Sequence, residues 1–305
     1  MLVSPYPRSV IIEPTNRCNM RCRSCHFWGE GVKQRRAVGS ADPGLLREMV
    51  CEVVSWNSPV DLMLTGAGEP LLYPDLEEMV SIAAGGSKVS VGILTNGLLL
   101  TPERAKGLLE AGIDWIGFSV DGADPQRYSW YRGAELEVVE SHIEHLLSLR
   151  RGGRPRVFLN MVNIPGADPQ GFVERWCGKV EEVKVSTFRP VGSRSVLNKF
   201  NVAVCNNLFT QMVVTWEGEV VLCCEDIWAD HPVGRFPRSS LLEVWRGEPL
   251  ERARILHREY RMDEIPLCST CDMPYSTKVV REYRDPRWNC RVVETPAQVS
   301  YHFDS

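Results

Sequence analysis

Over its first 190 residues the chain alternates between two hydrophobic periods. Short apolar runs that stop at small or polar residues are followed by stretches in which apolar positions recur every three or four residues. The runs SVIIEP, PVDLMLTG, KVSVGILTNG, DWIGFSVDG, RVFLNMVNI and EEVKVSTFRP read as strands. Between them PGLLREMVCEVVSW, PDLEEMVSIAAGG, TPERAKGLLEAG, LEVVESHIEHLLSLR and DPQGFVERWCG read as amphipathic helices. Strict alternation of this kind predicts parallel strands joined by crossover helices. Six strands are too few for a closed eightfold barrel, so the expected fold class is α/β: an open, partial (β/α)6 barrel. Reactive groups in parallel α/β folds gather at the carboxyl ends of the strands. Here those ends read EPTNRC, TGAGEP, TNG, SVDG, NMVNIPG and FRPVG.

The pattern changes after residue 190. NNLFTQMVVTWEGEVVLCCED reads as a hairpin turning at Glu217-Gly218, and LCSTC follows with a C-x2-C pair. The expected organisation is a barrel over residues 1–190, a small α+β domain over 191–280 and a tail over 281–305. Composition fits a folded globule, with 44% apolar residues and a formal charge of −4 among 305 residues. The densest basic run, SLRRGGRPR, reads as an exposed turn, so no nucleic-acid partner is expected. No apolar stretch reaches the ~18–20 residues of a membrane span. The start, MLVSPYPRSV, does not read as a secretory signal. A cytoplasmic location is the expectation.

Eleven cysteines then call for a reason other than secretion, since thiols in a reducing compartment more often bind metal or react. Three crowd the first strand end as Cys18, Cys22 and Cys25. Three thiolates on one short loop can hold three irons of a 4Fe-4S cluster and leave the fourth open to a small molecule. A Cys3His zinc site with His26 is the competing reading, although adjacent Cys25 and His26 would have difficulty facing one tetrahedral ion. In the last third, Cys205, Cys223, Cys268 and Cys271 supply the four thiolates of a second cluster or, as the alternative, of a zinc ribbon. Cys51 and Cys177 read as inert core residues on helix faces.

The C-x3-C-x2-C loop after the first strand, GAGEP after the second, TNG after the third and SVDG after the fourth together resemble the radical S-adenosylmethionine (SAM) enzymes. Each motif alone is a common turn; their order on successive strands is the strong signal. The resemblance implies reductive cleavage of SAM to a 5'-deoxyadenosyl radical that abstracts a substrate hydrogen. It also implies SAM contacts from Gly66, Gly68, Glu69, Asn96, Ser119 and Asp121. Ser24 stands where many relatives carry an aromatic residue, which leaves Phe27 and Trp28 as the expected contacts to adenine.

The C-terminal third resembles the SPASM/twitch extension in its shortened form, with one auxiliary 4Fe-4S cluster. Within that group it is similar to the extension of the aminocyclitol dehydrogenase of butirosin biosynthesis. The likeness implies oxidation of a secondary alcohol to a ketone, with the auxiliary cluster accepting an electron and Arg189 contacting the substrate. The implied partners are an aminocyclitol or aminosugar, or else a peptide, and an electron donor such as flavodoxin or ferredoxin.

Cys224 and Cys290 are the candidate hydrogen donors if the reaction is an epimerisation. Packing is the default for both, and Cys290 could also replace a cluster ligand. Peptide maturation and a non-catalytic iron-sulfur or zinc scaffold are the further alternatives. Glu13 and Asn16 either line the cavity or cap the strand end. Asp226, Asp230 and His231 either meet a hydroxylated substrate or form a solvated loop.

Overall fold

The computed structural model describes residues 3–188, 204–269, 271, 279 and 281–303. Its first six strands are β1 (Ser9–Ile12), β2 (Val60–Leu64), β3 (Val89–Thr95), β4 (Trp115–Ser119), β5 (Arg156–Asn163) and β6 (Glu182–Thr187). They lie side by side in chain order and are parallel throughout. The crossover helices are α1 (Pro43–Ser55), α2 (Leu76–Ala84), α3 (Pro102–Glu110), α4 (Pro125–Arg132), α5 (Leu136–Leu149) and α6 (Pro169–Trp176). This is the expected partial barrel, with one helix more than the periodicity gave, α4.

Four of these helices start on one local code, an Asp or Thr followed by proline. The side chains of Asp42, Thr101, Asp124 and Asp168 accept the amides of Leu45, Arg104, Arg127 and Gly171, and Pro stands at the first helical position each time. The cap satisfies an otherwise orphaned N–H, and proline lacks the N–H that would be orphaned next.

Alternate residues of each strand have different surroundings. Val10, Ile12, Leu62, Leu64, Val91 and Ile93 are fully buried and belong to the main core. Intervening residues such as Asp61, Met63 and Phe158 are half-buried and line a cavity of about 790 Å3 at the amino ends of the strands. One face of the sheet thus carries most of the core, while the other lines an open lumen.

The remainder extends this sheet from both sides. After α7 (Asn207–Thr210), β7 (Gln211–Val214) pairs in parallel with β1, and the expected hairpin follows as β8 (Glu219–Val221) and then β9 (Pro232–Arg235). Gly218, with φ of +81°, makes that turn. Helices α8 (Leu241–Arg246) and α9 (Glu248–Arg258) pack beside it. On the far side β10 (Arg281–Asp285), β11 (Cys290–Glu294) and β12 (Gln298–His302) form an antiparallel meander joined to β6. The segment expected as a tail is therefore sheet: Val299 stands opposite Val185, and Tyr301 opposite Val183. Among the described residues the result is one 12-stranded sheet.

Candidate active site

The loop carrying the first three cysteines is closed at its neck by buried side chains. Thr15 Oγ1 donates to the Gly39 carbonyl at 2.8 Å; Asn16 Nδ2 donates to Ala37 O at 2.7 Å, and Gly39 N donates to Asn16 Oδ1 at 2.8 Å. Asn16 is thus a structural clamp. Within the loop every cysteine sulfur meets an N–H donor. Met20 N reaches Cys18 Sγ at 3.4 Å, Trp28 N reaches Cys25 Sγ at 3.1 Å, and Arg132 Nη1 reaches Cys22 Sγ at 3.7 Å. Such donors favour the thiolate that an iron cluster requires. Burial opposes it: the Cys18 thiol is pushed up to about 11 by desolvation, with the Met20 amide working in the other direction. Cys22 is also raised by burial, against the pull of Arg132. Three half-buried thiols on one loop, with Glu69 near Cys18, are a donor set that cationic iron would bring to the charged form, so the residues fit a cluster.

The glycine-rich turn packs directly on this loop. A Cβ at Gly68 would lie 2.3 Å from Arg17 O, and one at Gly66 would lie 2.4 Å from Glu13 Cγ; only glycine permits that approach. Glu69 is buried, and its carboxylate accepts from Thr95 Oγ1 at 2.6 Å, Asn96 N at 2.8 Å and Leu71 N at 3.1 Å. Burial still raises its pKa. Three donors leave one of its roughly four acceptor positions for a ligand ammonium. Asn96 Nδ2 donates to Asn19 Oδ1 at 2.9 Å, tying the third strand end to the cysteine loop. Ser119 closes β4, half-buried.

Asp121 is already committed: it accepts from Val162 N at 2.8 Å and pairs with Arg132 Nη2 at 2.7 Å, both partners buried. Arg132 was not found by sequence reading. The available signal was the Asp124-Pro125 start of α4, whose last residue delivers this guanidinium to Asp121 and Cys22.

Phe27 departs from its expected place. It is buried, and its ring stacks on Trp228 with centroids 4.8 Å apart, so that face is taken. The Trp28 indole N–H donates to Asn16 O, and Arg21 covers its ring at 4.1 Å. Glu13, rather than simply lining the cavity, is a buried hub. It pairs with both terminal nitrogens of Arg36 at 2.7 and 2.8 Å and accepts from Ala67 N at 2.8 Å and Trp216 N at 3.3 Å.

The second cysteine group gathers from separate segments. Cys223 has Cys224, Cys268 and Cys205 as electrostatic neighbours; Cys224 has Cys205 and Cys271; Cys268 has Cys271 and Cys205. Cys224 therefore belongs with this group, whereas strand alternation would have turned it away. Burial pushes the thiols of Cys224 and Cys268 up to about 12 and raises those of Cys205 and Cys223. A half-buried multi-thiol set fits an iron-sulfur cluster for the same electrostatic reason as the first. Among the described residues, no three His, Cys, Asp or Glu side chains gather closely enough around one point to hold a single metal ion.

Cys290 is fully buried on β11, with Asp285 and Cys177 as its neighbours, and stands apart from both groups. Arg189 lies outside the described residues. Asp226 is buried and accepts the amides of Asp230 and His231, while Asp230 pairs with Arg35 at 2.8 Å. These residues hold a loop in shape. Among the described residues no helix is long and apolar enough to cross a membrane.

Comparison with known proteins agrees with this layout. The Radical SAM superfamily model matches residues 12–174, more than half of the chain, and the SPASM iron-sulfur cluster-binding domain matches 205–272. A probable GTP 3',8-cyclase of Methanosarcina mazei is 33% identical over 190 residues, 59% of this chain and 55% of that protein. An AdoMet-dependent heme synthase of Methanosarcina barkeri is 34% identical over 127 residues, 42% of this chain and 35% of that protein. The chain thus spans about half, or less, of the length of these curated relatives.

Among solved structures, BtrN in complex with AdoMet and 2-DOIA covers 88% of this chain and 93% of its own at TM-score 0.60 and 19% identity. Native anSMEcpe with bound AdoMet covers 90% and 91% at TM-score 0.65 and 16% identity. The chain belongs to the radical SAM superfamily, carries a SPASM-type extension, and has as its cofactors SAM, the SAM-binding 4Fe-4S cluster and an auxiliary iron-sulfur cluster.

Proposed function

We propose that this protein oxidises a secondary alcohol of a sugar-like or aminocyclitol substrate to a ketone, in natural-product biosynthesis. The observation that carries the reading is the near end-to-end correspondence with BtrN, whose structure holds AdoMet and 2-DOIA. A single C-x2-C pair, Cys268 and Cys271, in the extension agrees with it.

When bound, SAM on its cluster supplies the 5'-deoxyadenosyl radical that removes the carbinol hydrogen atom. What remains to be lost is one electron and one proton: Cys205, Cys223, Cys268 and Cys271 would hold the auxiliary cluster, which would supply an acceptor for the electron, and the proton would pass to solvent through a base. Arg189, which lies outside the described residues, is the proposed substrate contact. The chain's own contribution is placement. Gly66 and Gly68 let the second strand end approach the cysteine loop, and Glu69 and Asn96 lock the third strand end onto it. A flavodoxin- or ferredoxin-type donor supplies the starting electron.

Two further readings have particular support. SuiB of Streptococcus suis, solved bound to its precursor peptide SuiA, covers 85% of this chain at TM-score 0.63, which favours a peptide substrate. The curated relatives favour GTP. Epimerisation needs a thiol donor at the site, a part open to Cys224 and less suited to the buried Cys290.

The test is anaerobic turnover in D2O with aminocyclitols, aminosugars, candidate peptides and GTP, read by mass spectrometry. A product two mass units lighter, with one 5'-deoxyadenosine per product, is expected from an aminocyclitol or aminosugar. A product one unit heavier means epimerisation, and consumption of peptide or GTP alone overturns the substrate class.

A further inference from the structure

The two cysteine-bearing loops touch through a pair of aromatic rings. Phe27 lies two residues past Cys25, and Trp228 four residues past Cys224. Their rings stack with centroids 4.8 Å apart and planes inclined by 22°. Each ring is covered by a guanidinium: Arg35 stands 5.0 Å from the Trp228 centroid and Arg36 stands 5.2 Å from that of Phe27. Both arginines also cross between the loops by hydrogen bonds. Arg35 pairs with Asp230, and Arg36 Nε donates to Ile227 O at 2.8 Å while its other nitrogens hold Glu13 on the barrel.

Short hydrogen-bonded turns connect each ring to its cysteine. On the barrel side Trp28 N donates to Cys25 Sγ and Gly29 N to Cys25 O, so Phe27 sits inside a closed turn. On the other side Asp226 N donates to Cys223 O at 3.1 Å, and Ala229 N donates to Asp226 O at 3.0 Å. The Asp226 carboxylate takes the amides of Asp230 and His231 at 3.0 and 2.9 Å. A displacement of either ring is therefore carried to a cluster ligand within a few bonds. The stack is buried on the Phe27 side, where aromatic contact and cation–π attraction act with little competition from water.

The geometry points to Phe27 and Trp228 as an aromatic bridge that fixes the spacing of the two cluster-bearing loops. They act as positioning residues, each through the cysteine of its own loop. The inference goes beyond the proposed function and is independent of the substrate, because it concerns the separation of two clusters and not the reaction between them.

The test uses the holoenzyme with both clusters reduced, and reads the distance distribution between them by pulsed dipolar EPR together with iron per chain. Wild type gives one narrow distribution. Trp228→Leu and Phe27→Leu broaden or shift it with iron unchanged, and Trp228→Phe restores the wild-type shape. Unchanged distributions in both leucine variants at full iron overturn the bridge.

Where a variant loses iron, the cluster lost is assigned by whether added SAM still perturbs the remaining EPR signal. Loss of the auxiliary cluster in Phe27→Leu, or of the SAM-binding cluster in Trp228→Leu, supports the bridge, because the effect has crossed the stack. Loss confined to each residue's own loop overturns it.

Discussion

The two cysteine groups reach similar ends by different construction. The first is local: Cys18, Cys22 and Cys25 share one loop, each sulfur has its own N–H donor, and the Asn96 side chain from the third strand end pins that loop. The second is assembled by tertiary structure from the start of α7, the end of β8 and the stretch after α9, and burial is the main influence on its thiols. The contrast teaches that a short sequence spacing can specify a site's chemistry, whereas a dispersed one specifies little until the fold brings it together.

The largest expected effect follows from the first group's lack of redundancy. Cys22→Ala removes one of three ligands, and 5'-deoxyadenosine formation should fall to background in an anaerobic SAM-cleavage assay. The second group has one thiol more than a four-ligand cluster uses. Cys223→Ala should lose the auxiliary cluster and Cys224→Ala should keep it, as read by iron and sulfide content; the reverse result would move the ligand by one residue.

Next come the ion pairs. Arg132→Met leaves Asp121 charged and buried without its partner, which should cost roughly 3–5 kcal/mol in denaturant unfolding. Arg23→Ala, which breaks the exposed pair with Glu30, should cost no more than about 1 kcal/mol. Equal losses would mean that the buried pair has no special part in holding the first site.

The smallest effect concerns pH and the extension. His257 on α9 is buried with neither ring nitrogen hydrogen-bonded among the described residues, and desolvation lowers its pKa below the ordinary 6.5. The unfolded chain then binds the proton more readily than the folded one, so its contribution is complete above about pH 6.5 and is lost as pH falls through the lowered value. His257→Leu should flatten the decline in melting temperature on that acid side, and an unchanged slope would assign the decline elsewhere.

Much of the barrel was legible because periodicity and strand-end chemistry are local properties. The six strands, the cysteine trio and the Gly66 and Gly68 turn could be read directly. Helix α4 escaped because PQRYSWYR has no apolar stripe; it buries Tyr128 and Tyr131 beside a charged Arg132. The meander escaped because REYRD is mostly exposed, and its place is set by pairing across β12 to β6. Phe27 was assigned to adenine because nothing in the sequence places Trp228, some 200 residues away, on its ring. The pairing of Glu13 with Arg36 was hidden for the same reason: two charges become a buried hub only when four segments converge.

The most direct test of the two-cluster account is the iron and sulfide content of the Cys18→Ala, Cys22→Ala, Cys25→Ala triple variant, prepared and reconstituted anaerobically. The account predicts one remaining oxygen-sensitive cluster, with iron and sulfide at about half the wild-type content. A triple variant devoid of iron would contradict it.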